Sequence, residues 1–344
     1  MPYWKIRRRM LSTIRVNAER EGKVTLLKES SHNAPYKVIH YGSRHLHEHL
    51  ELIMMSASPG IMDGDEIDIT VNVHEGAHLK FFTQSFSKLH PMEKGAVQRT
   101  KVQVKKDGLY KFIPHPVTPF AKSIFKTVNE IHLDERATLI WGDIIASGRV
   151  HSGESFQFTR LHSVTRVYSN KKLVLLDNQL IEPGHQPLNS ILFYERYTHQ
   201  ATLIYVSPFA AELKAELDEI LTSQYEEITF GFTQCAPSAV MIRAMGNEGV
   251  MLYDWLSAMG QLCWEFTMHK QGLEEAEPEE EEKAPELQAS EETPVAKKQP
   301  KRTGPKRVKK GVTAKDQAKE LKAIPEAPTE EVLKEVFAEA VIEK

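Results

Sequence analysis

Ser58-Pro59-Gly60-Ile61-Met62-Asp63-Gly64-Asp65 opens a run, residues 56–105, on which the reading of the fold turns. Pro59-Gly60 and Asp63-Gly64 are turn dipeptides, because proline presets φ and glycine accepts φ > 0 without steric cost. After Asp65 the chain alternates. Ile67, Ile69, Val71 and Val73 take one face, and Glu66, Asp68, Thr70 and Asn72 the other, the period of a half-buried strand. Glu75-Gly76 punctuates, residues 77–86 restart as a second strand, and residues 97–104 alternate again as a third. By periodicity alone the three form an antiparallel meander.

Outward from this run the strand signal continues on both sides. Residues 10–30 read as two strands around Glu21-Gly22, and residues 36–41 as another. Residues 109–113, 124–133, 138–146, 156–167, 172–180, 190–193 and 198–206 all have strand length and pattern, with Gly, Pro and Asn between them. Such a row predicts a mainly β body, a stacked two-layer, β-helix-like sheet architecture. Helices enter only near its C-terminal end. Residues 208–221 form the first, with Ser207 placed to cap it and Pro208 at its first position. From Asn247, a stripe of Met251, Leu252, Trp255, Leu256, Met259, Leu262, Cys263 and Phe266 recurs at helical spacing. Past His269 the composition changes. Acid-rich residues 274–282 and basic residues 297–310, sprinkled with proline, cannot repay the entropy of folding, so residues 273–328 are expected to be a disordered charged linker. Residues 329–344, with Val332, Leu333, Val336, Phe337, Ala340 and Val341, have the pattern of a short amphipathic helix suited to docking. The expected organisation is therefore a β domain over residues 1–272, the linker, and that helix.

The chain has 344 residues, 41% hydrophobic and 26% charged, as a soluble globular protein does, and a formal net charge of -3 gives no reason to expect nucleic acid. Aromatic residues are not interleaved in the basic block, so base stacking has no platform there. Cys235 and Cys263 make neither C-x-x-C nor a disulfide framework, which suits a reducing cytoplasm. Arg7-Arg8-Arg9 is followed by no apolar run, and no stretch approaches the ~20 apolar residues that span a bilayer. A cytoplasmic, membrane-free location is the expectation.

Catalytic sets are scarce. There is no phosphate loop, no G-x-S-x-G elbow, no H-E-x-x-H and no thiolate pair, so neither nucleotide hydrolysis nor tight metal binding is expected. Three histidines, His45, His47 and His49, alternate in Arg44-His45-Leu46-His47-Glu48-His49-Leu50-Glu51 and would share one face of a strand, a candidate metal grip. The segment imitates the core of cupin metal enzymes, with His45, His47 and Glu51 as ligands, although the preceding glycine and the second cupin motif are missing. What remains are carboxylates in apolar β surroundings: Asp65, Asp68, Asp143 and Asp177. Each needs solvent, an ion-pair partner such as Arg149 or Arg160, or a function.

The wording of several segments, in order, resembles the UreD family of urease accessory proteins, also called UreH. The segments are Ser58-Pro59-Gly60, Gly64-Asp65, Gly76-Ala77, Thr83-Gln84-Ser85-Phe86-Ser87-Lys88, Pro114-His115-Pro116-Val117-Thr118-Pro119-Phe120, Trp141-Gly142-Asp143-Ile144-Ile145-Ala146-Ser147-Gly148-Arg149, Phe158-Thr159-Arg160-Leu161-His162 and Val240-Met241-Ile242-Arg243-Ala244-Met245-Gly246. The resemblance spans about residues 10–270. Ile61 stands where many members carry a second glycine, as in the UreH-type branch, and Asp63 where a small or basic residue is common. The resemblance implies a non-enzymatic maturation chaperone or scaffold. It would bridge apo-urease to UreF and the GTPase UreG within a dimeric hetero-oligomer, and would conduct nickel through a water-filled tunnel. Nickel would then be cargo in transit, with no tightly bound cofactor. The resemblance makes Asp65, Asp68, Asp143 and Asp177 the candidate lining, and Trp255, Met259, Leu262 and Phe266 the candidate UreF-facing residues. Scattered carboxylates with water suit transit, because a cage of Cys and His would hold the ion too firmly to release it.

Overall fold

The computed structural model describes residues 11–42, 48–221 and 227–272. The linker expected at 273–328 and the helix expected at 329–344 lie outside the described residues, as do His45 and His47. The strands in chain order are β1 (Leu11–Glu21), β2 (Val24–His32), β3 (Tyr36–His40), β4 (Leu50–Ser56), β5 (Glu66–Val73), β6 (His78–Thr83), β7 (Ser87–Leu89), β8 (Ala96–Val104), β9 (Leu109–Ile113), β10 (Val117–Pro119), β11 (Ile124–Leu133) and β12 (Thr138–Ala146). After β13 (Arg160–Ser169), β14 (Lys172–Ile181) and β15 (His199–Val206) comes helix α1 (Ala210–Ile220), then β16 (Ile228–Ala236), β17 (Ala239–Gly246) and the long helix α2 (Gly249–Lys270).

These strands form two sheets. One runs β14-β13-β11-β8-β5-β1-β2, and the other β16-β17-β15-β12-β9-β6-β4-β3 with short β7 and β10 attached. The expected mainly β, two-layer body is present, with helices near the C-terminal end. The meander expected of residues 56–105 is not. Strands β5 and β8 are parallel neighbours in the first sheet, while β6, between them in sequence, lies in the second, parallel to β4 and β9. The chain thus winds from sheet to sheet, a β-helix-like coil.

The cause sits at the corners. Three turns, residues 74–77, 105–108 and 134–137, each close with an N–H to C=O bond from the fourth residue to the first. Each puts its third residue at positive φ: Gly76 at 66°, Asp107 at 56° and Arg136 at 57°. The turns also bond one to the next, Gly76 N–H to Lys106 O and Asp107 N–H to Glu135 O, so the corners stack as the strands do. A corner that sends the chain to another sheet leaves the next same-sheet strand parallel.

Between the sheets the stacking makes ladders of like residues. Val16, Val71, Val102, Ile131 and Val167 are aligned rung by rung and buried in the first sheet. Phe81, Phe112 and Trp141 are aligned in the second, the last two with ring centres 4.8 Å apart. The opposite face of the second sheet is covered by α2. The helix comes close because Gly142 and Gly260 offer no side chains: a Cβ on Gly260 would lie 2.1 Å from Ile113 Cδ1.

Three local expectations change. Residues 190–193 are a turn, with Leu192 at φ 73° and 91% exposed. The strand expected over 77–86 ends at Thr83. Helix α1 starts at Ala210; Ser207 does not cap it, its hydroxyl accepting instead from the Phe209 N–H at 3.3 Å and meeting Thr138 Oγ1 at 2.9 Å.

Candidate functional site: a polar seam between the sheets

The inner face of the first sheet is not apolar throughout. Two residues before the aliphatic ladder, the aligned positions read Ile14, Ile69, Thr100, Asn129, Thr165 and Asp177. The row begins as hydrocarbon and turns polar at β8. The next inward row reads Thr127, Ser163 and Gln179. At about 4.8 Å per strand, the polar stretch from Thr100 to Asp177 crosses roughly 14 Å of sheet. Buried Asn129 donates to Thr165 Oγ1 at 3.0 Å, and Thr127 to Asn129 Oδ1 at 3.3 Å, so much of the seam satisfies itself sideways. Thr100 Oγ1 is buried without a hydrogen-bond partner among the described residues.

The second sheet answers with Asp143, Thr202 and Arg243, aligned across β12, β15 and β17. Asp143 shares its strand face with core residues Leu139, Trp141 and Ile145. Ser163 Oγ donates to Asp143 Oδ2 at 3.4 Å, joining the two sheets. Burial, then the nearby charge of Asp177, push the Asp143 carboxyl up to about 6, against the pull of Ser163 and of the Ile144 N–H. Asp177 is the better neutralised of the two. Its Oδ1 accepts from Arg243 Nη2 at 2.5 Å and its Oδ2 from Gln179 Nε2 at 2.7 Å. Gln200 Nε2 then donates to Gln179 Oε1 at 2.6 Å. Tyr194 is 4% exposed, and its buried hydroxyl has no hydrogen-bond partner among the described residues. Burial and the charge of Asp143 hold that hydroxyl protonated, while Arg243 opposes them. Two carboxylates, one guanidinium and one phenol therefore meet in the inter-sheet space near its β14–β17 end.

The four aspartates are not one cluster. Asp143 and Asp177 come together. Asp68 points from the outer face of β5, 45% exposed and 3.3 Å from Arg99 Nη1. Asp65 closes the turn before β5, its Oδ2 accepting from the Met62 N–H at 2.8 Å. Burial raises its carboxyl, the Met62 N–H lowers it, and Asp63 raises it further. Nor are the ion-pair partners those expected. Arg149 holds Glu154 and Arg160 faces Glu182, whereas Arg99 and Arg243 serve the aspartates. Sequence reasoning passed over Ser163, Gln179, Tyr194, Gln200 and Arg243. A signal existed for some of them, since Thr, Asn, Ser and Gln stand at strand positions whose alternation assigns them inward.

On the other face of the second sheet, Glu51, Lys80 and Lys111 are aligned across β4, β6 and β9 beneath α2. Glu51 Oε1 lies 3.0 Å from His49 Nε2 and 3.6 Å from Lys80 Nζ, and Lys80 Nζ sits 4.7 Å over the Trp264 ring. Lys111 donates to Gln261 Oε1 at 2.7 Å. Glu51 is thus engaged by Lys80 and the His49 ring under a helix, and nothing here supports the cupin reading. Among the described residues no group of three or more His, Cys, Asp or Glu side chains is arranged to hold a metal. Of the candidate docking residues on α2, Trp255 and Met259 are buried, Trp255 against Phe230 with ring centres 5.4 Å apart, while Leu262 and Phe266 remain partly exposed. No helix among the described residues is long and apolar enough to cross a membrane.

Comparison with known proteins places these features in a family. The model of the UreD urease accessory protein family matches residues 11–278. Urease accessory protein UreD of Flavobacterium johnsoniae is 32% identical over 251 residues, 72% of this chain and 90% of that protein. UreD of Acetivibrio thermocellus is 33% identical over 246 residues, 71% and 93%. UreH of Helicobacter pylori is 28% identical over 222 residues, 64% and 82%.

Proposed function

The chain belongs to the UreD family of urease accessory proteins, and on that premise we propose that it is a non-enzymatic, cytoplasmic maturation factor. It would bridge apo-urease to the UreF–UreG module in a hetero-oligomer and let nickel pass through its own body. The observation that carries the second half is the Asp143–Asp177 pair, set in a polar seam inside an otherwise hydrocarbon core. A buried carboxylate costs several kcal/mol unless it is paired or put to use. Two oxygen donors with hydroxyl and amide neighbours bind a divalent ion loosely, which suits an ion that must move on. For bridging, the partly exposed Leu262 and Phe266 on α2 are the docking candidates, and buried Trp255 and Met259 hold the helix in place.

The test is coexpression of the full chain with urease subunits and the other accessory proteins, followed by nickel analysis of the purified urease. Asp143→Asn with Asp177→Asn is expected to cut nickel per urease active site severely while the accessory complex still co-purifies. Wild-type loading by that double variant would refute the nickel path. Loss of co-purification together with loading would point instead to a scaffold that acts through urease's shape alone.

A further inference from the structure

Arg243 is the cation that the structure sets against Asp177. Its guanidinium neutralises Asp177 through the 2.5 Å contact, and Asp177 is only 12% exposed at its side chain, so this carboxylate depends on a neighbouring cation. Asp143 sits two strands away in the same sheet as Arg243, aligned with it through Thr202, and carries no ion pair of its own among the described residues. The Arg243 side chain is 43% exposed, and it makes one further, weak contact among the described residues, Nε to Met241 Sδ at 3.4 Å. The guanidinium is therefore anchored on one side and free to swing toward solvent on the other. Tyr194 adds an independent sign that the place is built for a ligand: its buried hydroxyl lacks a partner among the described residues, although it lies within the influence of both Asp143 and Arg243.

We propose that Arg243 is a resident surrogate cation that competes with the divalent ion for the Asp143–Asp177 pair, keeping the pair closed when empty and weakening the ion's grip when full. This rests on the nickel-path reading and says how that path avoids becoming a trap. The physical reasoning is a comparison of charges. Without a counter-cation the same carboxylate pair would hold a divalent ion more tightly, because Coulomb attraction is less screened in a half-dry seam than in water. With a guanidinium in place, the incoming ion must first displace a charge-assisted hydrogen bond, and the guanidinium returns as the ion leaves. One ion pair and one sulfur contact make that exchange inexpensive, since ion pairs open to water on one side contribute little net stability. Lysine in this place would preserve the competition as a point charge, though without the guanidinium's fork. A neutral side chain would abolish it.

The experiment is equilibrium dialysis of the purified full chain against nickel chloride. Four proteins are compared in a Cys235→Ala background, so that the exposed thiol does not contribute: Arg243 intact, Arg243→Gln, Arg243→Lys, and Arg243→Gln with Asp177→Asn. Binding at the histidine-rich segment is common to all four and cancels in the differences. Arg243→Gln is expected to bind one more nickel ion per chain than the intact protein at the same free concentration, with affinity at that site raised about tenfold. The second substitution should erase the gain, and Arg243→Lys should resemble the intact protein. In the urease-loading assay Arg243→Gln should bind nickel yet deliver it more slowly. If Arg243→Gln, shown by circular dichroism to be folded, binds no more nickel than the intact protein, the surrogate-cation idea is overturned, and the path stands or falls on the Asp143→Asn, Asp177→Asn result. If Arg243→Gln does not fold, Arg243→Lys and Arg243→Met carry the same comparison, and equal binding by those two is the overturning result.

Discussion

Lys111 offers the sharpest stability test, because its ammonium is buried under α2 beside a second lysine. Burial, and then the charge of Lys80, bring its pKa down to about 7, with Glu51, Cys263 and Glu265 pulling the other way. In the unfolded chain a lysine titrates near ~10.4. Between those values the folded protein binds fewer protons than the unfolded one, so stability rises with pH, by up to about 1.4 kcal/mol per pH unit. Below pH 7 the slope vanishes and the full penalty is present, ~4–5 kcal/mol from the difference of about 3.4 pH units. Lys111→Met keeps the length and apolar stem, removes the charge, and forfeits the 2.7 Å bond to Gln261, worth ~1 kcal/mol. The expected net is a variant roughly 2–3 kcal/mol more stable at pH 7, its urea midpoint raised by about 1 M. Urea unfolding of both proteins at pH 6, 7, 8 and 9 should show the advantage shrinking as pH rises. Taking the difference between the two cancels the tyrosines and Cys263, whose raised pKa values act in the opposite direction. A constant difference across the range, or a variant less stable at pH 7, would show that the ammonium is already well solvated under the helix.

Three further outcomes follow from the same contacts. Gly260→Ala gains ~1 kcal/mol of helix propensity but places a methyl 2.1 Å from Ile113 Cδ1, for an overpacking cost of ~1–3 kcal/mol; thermal melts should show a net loss that Ile113→Val partly restores, and two additive losses would mean the helix simply shifts. Asp68→Ala, on the outer face with Arg99, should change stability by less than ~1 kcal/mol and leave urease nickel content unaltered, in contrast to Asp143 and Asp177. Leu262→Ala with Phe266→Ala should weaken co-purification with UreF while the melting temperature barely moves, whereas Trp255→Ala should cost ~3–5 kcal/mol and lower the yield of folded protein; equal retention of UreF by wild type and the Leu262, Phe266 variant would remove those two from the interface.

Much of the fold was open to reading from residue pattern, and the part that was missed has an identifiable cause. Alternation at Ile67, Ile69, Val71 and Val73 places the strand and its inner face, because a period of two is a property of one strand alone. Whether the next strand pairs with it is a property of the corner. The corner was written in the sequence three times, as Val71-Asn72-Val73-His74-Glu75-Gly76-Ala77, Val102-Gln103-Val104-Lys105-Lys106-Asp107-Gly108 and Ile131-His132-Leu133-Asp134-Glu135-Arg136-Ala137. Two alternating aliphatics, two polar residues, one residue at positive φ and a small one recur at spacings of about 30 residues, the signature of a stacked coil. Only Gly76 announces its φ by residue type, and Asp107 and Arg136 conceal it, which is why a glycine-led reading of turns yields a meander.

The seam was legible by the same logic and harder to credit. In a coil, the row across the sheet matters more than the strand, and sequence spacing hides rows. Thr100, Asn129, Thr165 and Asp177 are scattered over 78 positions and come to a single line only when β8, β11, β13 and β14 are set side by side. Asp143 and Asp177 each look like an isolated liability, and each becomes affordable through the other sheet: Ser163 reaches across to one, Arg243 to the other. The same rule separates them from Asp68, which alternation already assigned to the outer face with Glu66 and Thr70. A carboxylate on the polar side of an amphipathic strand needs only water, whereas one on the apolar side must be matched by a residue from another strand or by an ion. Strand parity therefore sorts Asp68 from Asp143 before any coordinates are drawn, whereas β14, with Leu173 and Leu175 on one parity and Leu176 and Leu180 on the other, leaves Asp177 to be placed by its partner, the arginine whose removal the nickel experiment measures.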